Sequence, residues 1–158
     1  MSKLDGLHPI VRQKAEALIA ICAAAKLPII VTQGLRTDEE QAALWAKGRT
    51  APGPKVTNAK PGHSYHNYGL AFDIAVVKNG RPTWDDKVSV DGDETPDYVE
   101  VGEIGEQLGL EWGGRWKFRD LPHFQMRFGL SLADLKSGKR PTIEGDVVQL
   151  PVRPVSVA

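Results

Sequence analysis

The chain has 158 residues, enough for one domain, and 41% of them are hydrophobic, so a core can form without a disulfide or a structural metal. Lysine plus arginine (20) balances aspartate plus glutamate (20), which removes the long-range attraction that nucleic acid or an anionic membrane surface would exert. A single cysteine, Cys22, excludes a disulfide framework and a cysteine zinc cluster, and no apolar run is long enough to span a bilayer.

The opening MSKLDGLHP has no apolar signal core, so we expect a chain not exported by a signal of its own. Pro9 opens a helix to about Lys26, with His8 at its start and Val11, Ala15, Leu18, Cys22 and Ala25 on one face. Cys22 reads as a buried core thiol. PIIVTQ reads as a short buried strand. Thr37 and Glu40 form a T-x-x-E capping box before a second helix that ends near Gly48. Residues 49–62, rich in Gly, Pro and Lys, read as a long loop, a kind often functional in compact domains. LAFDIAVV is a strand, and Lys78-Asn79-Gly80 turns it back through RPTW. Asp91 to Pro96 is a polar loop. Asp97 and Glu100 start a third helix that Gly109 stops. LEWGG and HFQMRF read as short strands, and Ser131 caps a last short helix. The pattern predicts an α+β fold: a small, mostly antiparallel sheet flanked by helices. Residues 1–141 would form the domain and 142–158 a C-terminal tail.

Two stretches carry chemistry. In HSYHNYGLAFDI, Ala71, Asp73 and Ala75 share one strand face, and a carboxylate there is costly unless paired or metal-bound. His66 lies seven residues earlier, roughly 23 Å if extended, so the chain must fold back for both to reach one ion. Asn67-Tyr68-Gly69 supplies the turn. Spacing alone leaves open that Asp73 caps or pairs locally and that His66 is a loop histidine. The second stretch, WGGRWKFRDLPHFQ, adds His123 at the start of a strand and Asp120 three residues before it. Two histidines and a carboxylate form a common catalytic zinc set, with the fourth position left for water. Such chemistry needs a further carboxylate as general base, and Asp120 fits that role. The alternatives are a turn-capping aspartate and a satisfied core histidine.

S-Y-H-N-Y-G-L-A-F-D resembles the S-x-H-x-x-G-x-A-x-D signature of the zinc peptidases that include VanY-type D-alanyl-D-alanine carboxypeptidases, and D-L-P-H resembles their acid-x-x-H motif. GLRTDEEQAALWAKGRT, VTNAKPGHSYHNYGLAFDIA and LEWGGRWKFRDLPHFQM look like one subgroup, the L-alanyl-D-glutamate endopeptidases found as phage endolysins and bacterial cell-wall hydrolases. The resemblance covers about Leu7 to Pro141. It implies the hedgehog/D-Ala-D-Ala peptidase fold with the zinc site on the sheet. It implies zinc on His66, Asp73 and His123, Asp120 as base, and Arg36 stabilising the oxyanion. Ser64 and Gln41 match motif positions and are expected to contact substrate or to support the site, and Trp116, beside the second motif, is expected to line the substrate cleft or to pack in the core. His63 falls outside the ligand set, and Trp112 is expected in the core. The implied substrate is the peptidoglycan stem peptide, cut by a monomer without a wall-binding domain. Location would be cytoplasmic until release for an endolysin, or the cell wall for a secreted hydrolase whose signal has been removed. Two rivals remain: a D,D-carboxypeptidase or dipeptidase, and a non-catalytic, zinc-stabilised wall-binding module. Asp91, Asp93, Asp97 and Glu100 loosely suggest calcium, but the glycine and glutamate fall at the wrong places for an EF-hand, and capping accounts for Asp97 and Glu100.

Overall fold

The computed structural model describes residues 2–151. Helix α1 (Pro9–Ala24) starts with proline at its first position, where no amide hydrogen is missed, and His8 accepts from the Ile10 amide through Nδ1. Val11, Ala15, Leu18 and Cys22 are buried as their spacing predicts. Ala25 falls outside the helix and is exposed, because Lys26 takes a positive φ and turns the chain away. Strand β1 (Ile29–Gln33) follows, then α2 (Asp38–Ala46), whose Thr37–Glu40 capping box is fully formed.

The centre of the molecule is β2 (Ala71–Lys78). One of its edges pairs antiparallel with β1, and the other is shared by β3 (Arg81–Thr83) and β5 (His123–Gln125). Beyond β5 lies β4 (Glu111–Trp112), closing a five-stranded sheet that is antiparallel at every pairing. The β2–β3 turn has positive φ at both Asn79 and Gly80, the geometry that matches the twist of a two-residue hairpin. Phe72 and Phe124 stack on the core face at 5.6 Å, and α3 (Asp97–Gln107) lies against Phe124 and Trp112. The expected α+β class holds, with strands shorter than the sequence suggests.

Two features depart from the sequence reading. The residue before α3 is Pro96, which makes no side-chain cap, and Asp97 is the first helical residue; its Oδ2 reaches back to accept from the Val90 amide (2.6 Å). Capping therefore does not account for Asp97 and Glu100. After α4 (Leu132–Lys136), β6 (Lys139–Pro141) pairs with β7 (Val147–Gln149), so a hairpin straddles position 141. Its turn meets α1, where the His8 ring contacts the Thr142 carbonyl. Among the described residues no helix is long and apolar enough to cross a membrane.

Candidate active site

The β2–β5 register places Asp73 directly opposite His123, so both side chains leave one face of the sheet as a cross-strand pair. His66 arrives from a 3₁₀ turn, Tyr65–Tyr68. Ser64 Oγ accepts from the His66 amide at its start, and Gly69 ends it at φ +69°, where a Cβ would stand 2.6 Å from the Gly6 carbonyl. Asn67 contributes by its amide rather than by a positive φ. Its Oδ1 accepts from the Gly62 and Ser64 amides and its Nδ2 donates to the Arg36 carbonyl.

Donor geometry at the three residues is specific. His66 Nδ1 lies 2.9 Å from the Gly34 carbonyl and must donate to it, which leaves Nε2 as a lone pair 3.2 Å from Asp73 Oδ1. The ring Nε2 of His123 lies 2.7 Å from Gln125 Oε1, itself set by Gln125 donating to Glu111 Oε2 (2.6 Å). His123 Nδ1 is then the lone pair facing Asp73 Oδ1 at 3.0 Å. Two imidazole lone pairs and a carboxylate oxygen cannot converge without a proton or a cation between them. Their separations match the ~3.3 Å expected between donors about 2.0–2.2 Å from a tetrahedral metal. The donor set fits a metal ion, and the second ring nitrogens are held as metal ligation requires.

Electrostatics agree. Burial pushes the Asp73 carboxyl up, but hydrogen bonds to His123 and His66 win and hold it well below the usual range. Burial pulls His123 down, and Asp73 more than offsets this, so its pKa is raised. The Asp120 carboxyl is raised by burial, opposed by the imidazoles of His123 and His66 and reinforced by Asp73. Burial lowers Arg36, against the pull of the Asp73 carboxylate.

All of this opens into one cleft of about 670 Å³, lined by Arg36, Ser64, His66, Asp73, Trp116, Asp120 and His123 among others. Trp116 sits with its ring 5.1 Å from the His123 ring. His63 also lines the cleft, is exposed, and meets Lys136. Trp112 is in the core, donating to the Leu121 carbonyl behind the D-L-P-H turn. Of its two expected roles, Gln41 is placed for support of the site. It is fully buried and does not line the cleft; its Oε1 accepts from Arg36 Nη1 (2.9 Å) and its Nε2 donates to the Ala59 carbonyl. Its helix points it inward, so it aims Arg36 instead of meeting a ligand. Sequence reasoning missed the chain Gln125–Glu111–Arg127 behind His123. The available signal was H-x-Q, two residues apart and so on one strand face.

A family model described as D-alanyl-D-alanine carboxypeptidase matches residues 57–126. The chain is 47% identical over 122 residues to the peptidoglycan L-alanyl-D-glutamate endopeptidase CwlK of Bacillus subtilis (strain 168), spanning 76% of this chain and 73% of that one. Its fold is similar to the Serratia marcescens L-Ala D-Glu endopeptidase ChiX, with TM-score 0.58, 23% identity, and 80% and 84% of the two chains covered. It is also similar to the vancomycin-resistance D,D-pentapeptidase VanY, solved as a mutant with Zn(II), with TM-score 0.51, 19% identity, and 73% and 69% covered.

Proposed function

We infer that this chain, which belongs to the peptidase family that joins D-alanyl-D-alanine carboxypeptidases with the L-alanyl-D-glutamate endopeptidase CwlK, is a zinc peptidase that cuts the peptidoglycan stem peptide between L-alanine and D-glutamate. The observation that carries the reading is the convergence of three metal-competent donors, a free carboxylate and a half-buried guanidinium in one cleft. His66 Nε2, Asp73 Oδ1 and His123 Nδ1 would hold the ion. Bound there, zinc supplies Lewis acidity that activates water at neutral pH.

The chain's own groups do the rest. Asp120 is outside the donor cluster yet lines the same cleft, and its raised pKa suits a carboxylate that takes a proton from water and returns it to the leaving amine. Arg36, aimed by Gln41 and with its Nε unpartnered, presents positive charge to the oxygen that becomes negative when the carbonyl is attacked. Ser64 braces the His66 turn and also lines the cleft, and Trp116 and His63 form walls against which a peptide can lie. The CwlK likeness favours the L-Ala–D-Glu bond over the terminal D-Ala–D-Ala bond. Mass spectrometry of muropeptides digested by the zinc-loaded chain tests this. New N-terminal D-glutamate is expected; release of free D-alanine instead would reassign the enzyme as a carboxypeptidase, and no cleavage at all would leave a wall-binding module.

A further inference from the structure

A second acidic centre lies away from the cleft. One carboxylate oxygen from each of Asp91, Asp93, Asp97 and Glu100 lies within 4.8 Å of those from the other three. None of the four forms an ion pair among the described residues. Asp97 is fully buried at the start of α3. Its Oδ2 is used by the Val90 amide and its Oδ1 has no partner. Glu100, one turn on, also has a buried carboxylate oxygen without a partner. A buried, unpartnered carboxylate oxygen facing three more carboxylates is among the costliest arrangements a fold can hold. The partial positive charge at the α3 N-terminus, about half a unit, offsets little of it.

The structure assigns these four carboxylates to a calcium site that clips the polar loop 91–96 onto the first turn of α3. The donors are all hard oxygens, with no imidazole or thiolate, which favours calcium over zinc or copper. Calcium takes six to eight oxygens in flexible geometry, so four carboxylates plus water suffice, whereas magnesium demands a near-ideal octahedron. Ser89 Oγ, hydrogen-bonded to Asp91 and Asp93, holds two of the donors in place. Unshielded, the cluster holds a proton at neutral pH: burial and the neighbouring carboxylates push the Glu100 carboxyl up to about 8. An ion would take that proton's place. This site is independent of the peptidase reading, and its test does not use wall lysis.

Full-length protein is stripped of divalent ions, reloaded with zinc, and melted with calcium or magnesium chloride. Terbium luminescence, sensitised by the neighbouring Tyr98, reports occupancy. Calcium should raise the melting temperature by about 5–10 °C and displace terbium at micromolar to millimolar concentration. Asp93→Asn, an exposed change with little folding risk, should abolish most of that rise. Glu100→Gln should abolish it too, yet melt no lower than the parent at neutral pH when calcium is absent, because the amide replaces a carboxyl that already carries a proton there. The assignment is overturned by no calcium-dependent rise, by an equal rise with magnesium, or by an undiminished rise in Asp93→Asn.

Discussion

At Asp120 the chemistry and the local structure can be separated by one atom. Its backbone carbonyl accepts from the His123 amide and its amide donates to Gly113, so the turn does not depend on the carboxylate. Asp120→Asn should keep fold and zinc while lowering turnover by about 10²–10⁴, measured by muropeptide cleavage beside elemental analysis. The sign of the pH dependence follows. Only ionised Asp120 accepts a proton, and burial raises its pKa, so activity rises with pH along an acidic limb displaced upward from the ordinary carboxylate range. The asparagine variant should lose that limb. Gln125 acts through His123: it fixes which ring nitrogen carries hydrogen. Gln125→Leu frees that ring to change tautomer and should weaken zinc binding about 10–100-fold, read by competition with a chromogenic chelator. That Asp73, His66 and His123 belong together was legible because a carboxylate in an apolar strand needs an explanation and the resemblance of the two motifs supplied one. Gln125 and Glu111 were not, because their relation depends on which strands become neighbours, and β4 pairs with β5 across a loop that periodicity does not resolve.

Helix α3 shows how an element far from the peptide cleft can set its shape. Gly105 faces Phe124, and an added Cβ would meet the ring at 2.4 Å; Phe124 adjoins His123 in β5. Gly105→Ala must push the ring or the helix away, a crowding that typically costs about 1–3 kcal/mol. A lower melting temperature with reduced zinc affinity is expected, because the displaced strand carries His123, one of the three proposed ligands. The start of the same helix imposes a pH dependence on the calcium-free protein. Glu100 is raised from 4.5 to about 8 by burial and by Asp93, Asp91 and Asp97, and across the interface it faces the Cys22 thiol of α1, itself raised to about 11. The folded state then binds more protons than the unfolded chain between about pH 4.5 and 8, so stability falls as pH rises through that window. Denaturant melts in a calcium chelator should show the slope, and Glu100→Gln should flatten it. The sequence placed this helix correctly but read its acidic first turn as capping. Proline at the cap position and a carboxylate turned back to Val90 are products of how the loop folds, which local spacing does not encode.

For the whole molecule, helices, the β2–β3 hairpin and the sheet's antiparallel character were legible, since each rests on local capping, turn chemistry or alternation. The β6–β7 hairpin was not, because its strands are three residues each and too short for any period to show. A chain ending at Pro141 loses β7 and the contact of Thr142 with His8, but none of the residues lining the cleft. It should keep turnover at room temperature and melt several degrees lower, checked by calorimetry and peptide cleavage. The centre of the sheet has the opposite character. Asp73 pairs with Gln33 on one side and His123 on the other, and Val76 with Ile29 and Thr83. Amides flanked on both edges are the last to trade hydrogen for deuterium, since they are released only when the molecule opens as a whole. Exchange should therefore be slowest along β2 and faster in the β6–β7 hairpin and the loop before α3. Asp73 and His123 are thus expected to stay opposite each other after the outer elements have opened.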